Sequence, residues 1–235
     1  MAQFYLAEIF MALEYLHEHN VIYRDIKPEN IMLDNEGHVR LIDFGLTKIG
    51  VSESPTSFTR TLCGTNSYMA PEVIKKDLYG PSADWWSFGV LAFDMLTGGP
   101  PFRGETKHEV YNQIVRGVIN IPTRMDLITR QFLRKLLTKD PEKRLGHPIM
   151  GGTMAIRDHD FFVDILWLDL YLKKVEPPLK LFINVKSAAD LEHFDNLPLH
   201  DEAENLTFMT ESKDMETTDV LDGLFKNFSY TDPNF

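Results

Sequence analysis

Tyr23-Arg24-Asp25-Ile26-Lys27-Pro28-Glu29-Asn30 is the stretch on which the reading of this chain turns. Two short apolar runs follow it, Ile31-Met32-Leu33 and Val39-Arg40-Leu41-Ile42, separated by Asp34-Asn35-Glu36-Gly37. Asp, Asn and Gly are turn formers, so these runs predict a small antiparallel hairpin. Asp25 and Asn30 stand where the chain enters the hairpin, and Asp43, in Asp43-Phe44-Gly45, stands where it leaves. Antiparallel pairing can therefore return Asp43 to the neighbourhood of Asp25 and Asn30, although 18 positions separate the two aspartates.

Upstream, residues 3–19 carry Leu6, Ile9, Phe10, Leu13 and Leu16 at helical spacing, with Glu8, Glu14 and Glu18 between them and Asn20 as a stop. This predicts a buried amphipathic helix. Downstream, residues 47–82 are rich in Ser, Thr, Gly and Pro and read as a long loop, closed by Ala70-Pro71-Glu72. Loops of that length inside a compact domain are usually functional or disordered. Ala83 to Leu96 returns to an apolar helical pattern ended by Gly98-Gly99-Pro100-Pro101, and Thr106 to Arg116 and Leu127 to Thr138 are further helix candidates. Beyond about residue 175 the pattern weakens. The fold class expected is mainly α with small β-hairpins.

The chain has 235 residues, 43% of them hydrophobic and 25% charged, which suits a soluble globular protein and excludes collagen-like or wholly disordered classes. A single cysteine, Cys63, rules out an internal disulfide, and no Cys/His cluster points to structural zinc. No apolar stretch approaches the roughly 18 residues that a bilayer span needs, so no membrane role is expected and a cytoplasmic or nuclear location is the default. The net charge of −11 is uneven, with −7 in residues 201–235 alone. That balance argues against nucleic-acid binding, which uses Lys/Arg surfaces, and favours a basic partner.

The three strings, in their order along the chain, are similar to the signature set of the protein kinases. The resemblance implies the large, C-terminal lobe of the kinase fold over residues 1–162, followed by an acidic C-terminal tail over 163–235, with ATP and Mg²⁺ as cofactors. Phosphoryl transfer asks a protein chiefly for positioning and charge neutralisation, so a proton acceptor and two metal-binding groups must meet in one cleft. By resemblance Asp25 accepts or orients the substrate hydroxyl proton, Lys27 neutralises the transferring phosphate, and Asn30 and Asp43 hold Mg²⁺. Asp84, opening Asp84-Trp85-Trp86-Ser87-Phe88-Gly89, matches the residue that braces the catalytic loop. Glu72 and Arg144 match the buried ion pair that pins the closing segment to the lobe.

Tyr23, the double tryptophan, Cys63-Gly64-Thr65 and Lys174-Val175-Glu176-Pro177-Pro178 together resemble the AGC group of serine/threonine kinases, the ribosomal protein S-six kinase branch most of all. Lys27 and Thr65 favour serine or threonine as acceptor. Glu29 and Asp94 match positions that meet arginines upstream of the target residue, implying basic protein substrates. Thr61 matches an activation-loop phosphosite facing Arg24 and Lys48, to be modified by an upstream kinase, and Phe225-Lys226-Asn227-Phe228-Ser229-Tyr230 resembles the hydrophobic motif, with Phe225 and Phe228 as anchors and Ser229 as phosphoacceptor. Asn66-Ser67 stands where the family usually has Pro-Glu. Within the 235 residues no glycine-rich loop or strand lysine of a small lobe is found. The expectation is thus a kinase chain lacking its small lobe, the alternative being a pseudokinase-like module that binds basic substrates or an upstream kinase.

Overall fold

The computed structural model describes residues 1–179. Helix α1 spans Ala2–Glu18 and buries Leu6, Ile9, Phe10 and Leu13, the residues at helical spacing. It stops at Asn20, whose φ of 57° lies in the left-handed region that Asn tolerates better than most residues. Strand β1 (Val21–Ile22) pairs antiparallel with β4 (Lys48–Ile49), and β2 (Ile31–Leu33) pairs with β3 (Val39–Leu41) in the register Ile31↔Leu41, Leu33↔Val39.

The hairpin turn is built by Asp34, whose Oδ1 accepts the backbone N–H groups of Glu36 and His38 at 3.1 and 3.0 Å. Gly37 takes φ of 91°, and a Cβ there would meet the Leu179 carbonyl at 2.8 Å, so only glycine lets the end of the described chain pass so close. From α1, the Glu8 carboxylate accepts from His38 Nδ1 at 2.5 Å and from the Val39 N–H at 2.8 Å. The hairpin is thereby fastened to the helix that precedes it.

Residues 47–82 are more structured than a single loop. Besides β4 they hold a 3₁₀ turn at Pro55–Ser57 and helix α2 (Pro71–Ile74). Two-residue strands are too short for any periodicity, and their pairing is set by a partner far away in sequence, which hides them from pattern reading.

Helix α3 (Ser82–Thr97) forms the axis of the body and is buried continuously from Ser82 to Phe93. A helix apolar on all sides belongs in a core. It packs on α1 and on α5 (Leu127–Leu136), closely enough that a Cβ on Gly89 would lie 2.8 Å from Leu136 Cβ. Gly98, at φ 83°, ends it. Helix α4 (Lys107–Arg116) starts at Thr106, which accepts from the Glu109 N–H, and α5 starts at Asp126, which accepts from the Thr129 N–H at 2.8 Å.

Aromatic rings join the layers: Phe10 lies 5.7 Å from Trp85, and Phe132 stacks on Phe161 at 4.3 Å. After α6 (Gly152–Arg157), helix α7 (Trp167–Tyr171) returns to α1, with Trp167 5.3 Å from both Phe10 and Phe162. Burying each such side chain is worth about 1.5–3 kcal/mol. No helix among the described residues is long and apolar enough to cross a membrane.

Candidate active site

The loop between β1 and β2 carries the cleft, and α3 holds that loop from beneath. Asp84, in the first turn of α3, is 1% exposed; its Oδ2 accepts the Tyr23 N–H at 2.8 Å and its Oδ1 the Arg24 N–H at 2.9 Å. His17 Nε2, from the last turn of α1, reaches the same Oδ2 at 2.8 Å. This grip matters because Arg24 has φ of 70°, an unfavourable conformation for a residue with a Cβ, costing of order 1–3 kcal/mol. The surroundings thus hold the turn that presents Asp25.

Asp25 is buried, and its carboxylate is held from three sides. Thr65 Oγ1 donates to Oδ1 at 2.8 Å, while Lys27 Nζ at 2.9 Å and Asn30 Nδ2 at 2.8 Å both reach Oδ2. Burial alone pushes the Asp25 carboxyl up, but Lys27, Thr65 and Asn30 outweigh it and hold the group below the usual aspartate value. A carboxylate has about four acceptor positions. Three are in use, so one is open to a hydroxyl donor.

Asn30 also donates Nδ2 to the Asp25 carbonyl at 2.9 Å, and its own carbonyl accepts the Ile42 N–H at 3.0 Å. That bond brings the outgoing strand back beside Asn30. Asp43 follows at φ 58°, exposed, with Oδ1 taking the Gly45 N–H at 3.0 Å. The Tyr23 phenol reports the convergence. Burial first, then Asp25 and Asp43, push it up to about 12, so both carboxylates bear on one ring. The donor set fits Mg²⁺: the Asn30 amide nitrogen is committed to Asp25, which leaves its oxygen, and Asp43 supplies an exposed carboxylate. Magnesium is commonly held by one or two such oxygens together with substrate phosphates and water.

Glu72 and Arg144 form a bidentate pair at 2.6 and 2.9 Å, with side chains 5% and 0% exposed. The remaining Arg144 donors go to the carbonyls of Ser82, Thr138 and Lys139. Glu29 is exposed at the cleft mouth, and Asp94 accepts from the Tyr68 hydroxyl at 2.5 Å. Burial, then Asp94 and Glu29, raise the Tyr68 phenol well above its ordinary value, so these two carboxylates share a neighbourhood. Nothing in the spacing singled out Tyr68; Tyr111, whose hydroxyl donates to Asn66 Oδ1 at 2.9 Å, and His17 were missed likewise.

Gly64, at φ 109°, lets its backbone lie against the Arg24 carbonyl, where a Cβ would sit at 2.8 Å. Thr61 is exposed, its carbonyl accepting from Tyr79 at 2.6 Å and its hydroxyl 3.4 Å from that of Thr59. Lys48 is exposed on β4, and Arg24 Nε donates to the Leu46 carbonyl. No hydrogen bond joins the Thr61 side chain to either cation among the described residues. Phe225, Phe228 and Ser229 lie outside the described residues.

Residues 1–162 match the family described as the protein kinase domain, and the chain belongs to that family. Its relatives are kinases of the AGC group. The serine/threonine-protein kinase gad8 of Schizosaccharomyces pombe is 42% identical over 232 residues, 99% of this chain and 39% of that protein. A RAC family serine/threonine-protein kinase homolog of Dictyostelium discoideum is 46% identical over 210 residues, 89% of this chain and 45% of that protein. Human protein kinase C eta type is 38% identical over 232 residues and is covered to 33% of its length. The chain therefore spans between a third and a half of these relatives.

Proposed function

We propose that this chain carries the catalytic-loop half of an ATP-dependent serine/threonine protein kinase acting on basic protein substrates. The observation that supports this best is the Asp25 carboxylate, ionised, buried and gripped by Lys27, Thr65 and Asn30 with one acceptor position open. A substrate hydroxyl there would donate to Asp25, which orients it and takes its proton as the new bond to the γ-phosphorus forms and the bond from that phosphorus to the β–γ bridging oxygen breaks, with ADP leaving. Lys27, 22% exposed, can turn from Asp25 to the moving phosphoryl oxygens without leaving the cleft. Asn30 and Asp43 would hold Mg²⁺, whose bound charge neutralises the phosphate oxygens.

Glu29 and Asp94 supply the reading of a basic substrate, since a carboxylate binds arginine with strong, oriented hydrogen bonds. Activation by an upstream kinase acting at Thr61 and Ser229, and a place in the S-six kinase branch, belong to the same reading. The test is transfer of labelled γ-phosphate to an arginine-containing serine peptide by the complete gene product. Asp25→Asn should lower the rate by about 10²–10⁴-fold, the range that proton transfer by a positioned side chain supplies. Unchanged transfer in that variant would reject the proposal. A wild type that binds the peptide but transfers nothing would favour the binding-module alternative.

A further inference from the structure

Of the 13 prolines in the chain, only Pro55 directly follows a serine or threonine. Ser54, the residue before it, is exposed, with φ of −78° and ψ of 126°. A following proline favours this extended backbone. The only hydrogen bond of the Ser54 hydroxyl among the described residues is to that of Thr56, also exposed, at 2.9 Å. Its neighbours Ser52 and Ser57 differ. Both are half-buried, their hydroxyls lie 2.9 Å apart, and Ser57 Oγ accepts the Ser52 N–H at 3.0 Å.

The 3₁₀ turn that begins at Pro55 is closed by the Ser57 N–H donating to the Ser54 carbonyl at 2.9 Å and by these hydroxyls. Local structure of that kind opens at low cost, so another enzyme can seat Ser54 in its cleft. The chain's own proposed cleft is a poor candidate for this work. The five residues before Ser54, Ile49 to Glu53, include no arginine or lysine for Glu29 and Asp94 to hold. The signal that remains is the proline, which has no N–H to leave unpaired in a cleft without an acceptor.

We infer that Ser54 is a phosphoacceptor for a proline-directed serine/threonine kinase. Its Oγ attacks the γ-phosphorus of ATP held by that kinase, the bond to the β–γ bridging oxygen breaks, ADP leaves, and the hydroxyl proton passes to that kinase's base. The phosphate adds about −1.5 to −2 charge at pH 7. It falls beside Glu53, whose carboxylate accepts at 2.9 Å from the hydroxyl of Ser82, the first residue of α3. Like charges repel there, so the modification loosens the tie between this segment and the helix that carries Asp84.

The test incubates the full chain carrying Asp25→Asn, which silences its own proposed transfer, with ATP and a kinase of the mitogen-activated class, and maps the phosphate by mass spectrometry. Ser54 should be modified, and Ser54→Ala should abolish the modification there. Pro55→Ala should slow it at least about tenfold, within the range that a lost apolar contact contributes to discrimination. In the modified chain the amide hydrogens of Ser52 and Ser57 should exchange faster than in the unmodified one. Phosphate placed elsewhere while Ser54 stays bare, or an unchanged rate in Pro55→Ala, overturns the inference. So does a wild-type chain that modifies Ser54 with ATP alone, since the site is then one of self-phosphorylation. Modification with unchanged exchange overturns the loosening.

Discussion

Asp25 and Glu72 are both carboxylates 5% exposed or less, yet they sit in regions built to opposite ends. Glu72 meets one permanent partner, the fully buried Arg144, whose donors are all taken by Glu72, three carbonyls and the face of Trp86 at 5.3 Å. Asp25 meets three smaller donors, one of them on the partly exposed and flexible Lys27. The Arg144 guanidinium is sealed in with no donor to spare; the cleft holds a cation that is partly exposed and can leave. Burial alone therefore does not separate a working carboxylate from a structural one. What does is whether the partner is locked in place: every Arg144 donor is spent, whereas Lys27 is partly exposed and can turn away.

The largest effect expected follows from the closed region. Arg144→Ala should destabilise the chain by about 3–5 kcal/mol, because Glu72 remains buried without its cation. Replacing both, as Arg144→Met with Glu72→Leu, should recover much of that loss in a denaturant titration. If the double variant is no more stable than the single, Glu72 is not the group that makes Arg144 costly to remove. The same double replacement has no counterpart in the cleft, where replacing Asp25 tests the proposed chemistry rather than the fold.

Asp84 links the two regions, since one end of α3 braces the loop and the next residues build the core. Asp84→Ala would leave the Tyr23 and Arg24 N–H groups unpaired, at about 2–4 kcal/mol in all, and would release Arg24 from its left-handed φ. Phosphotransfer should then fall further than the loss of folded protein accounts for. Equal losses of the two would mean that the brace serves stability alone. A smaller effect is expected on the cleft's outer wall: Gly64→Ala forces a side chain into positive φ against the Arg24 carbonyl and should cost about 1–2 kcal/mol by thermal melting. A neutral result would show that the loop can withdraw from Arg24 freely.

Much of this was legible in the chain because the signals are local. The hairpin announced itself through Asp34 and Gly37 and α1 through its apolar spacing, while α4 and α5 were legible as helix candidates over residues 106–116 and 127–138 without the side-chain caps that start them. The return of Asp43 toward Asn30 followed from strand pairing alone. The roles of Glu72, Asp84 and Arg144, by contrast, were available only through resemblance, since their contacts cross 60 to 72 positions. The clamp of Glu8 on His38, the Tyr68–Asp94 bond and the reach of His17 to Asp84 left no mark in spacing. Each depends on where helices pack, and packing is the step that periodicity does not encode.

The smallest effect expected separates the two kinds of region by pH. His159 is buried against Phe132, and its Nδ1 accepts the Phe161 N–H at 3.1 Å. Burial first, and then the nearby Lys135, hold the imidazole below its ordinary value, against a weaker pull from Asp160. The folded chain therefore binds a proton less readily than the unfolded one, so stability rises with pH up to about 6.5 and is lost progressively below it. Asp25, also depressed, acts only at lower pH, through the carboxylate range. Melting between pH 7.5 and 5.5 should thus report His159 rather than the cleft. In His159→Asn, whose amide oxygen can still accept the Phe161 N–H, the melting temperature should fall less steeply over that interval than in wild type. Identical slopes would show that acid sensitivity in this range comes from another group.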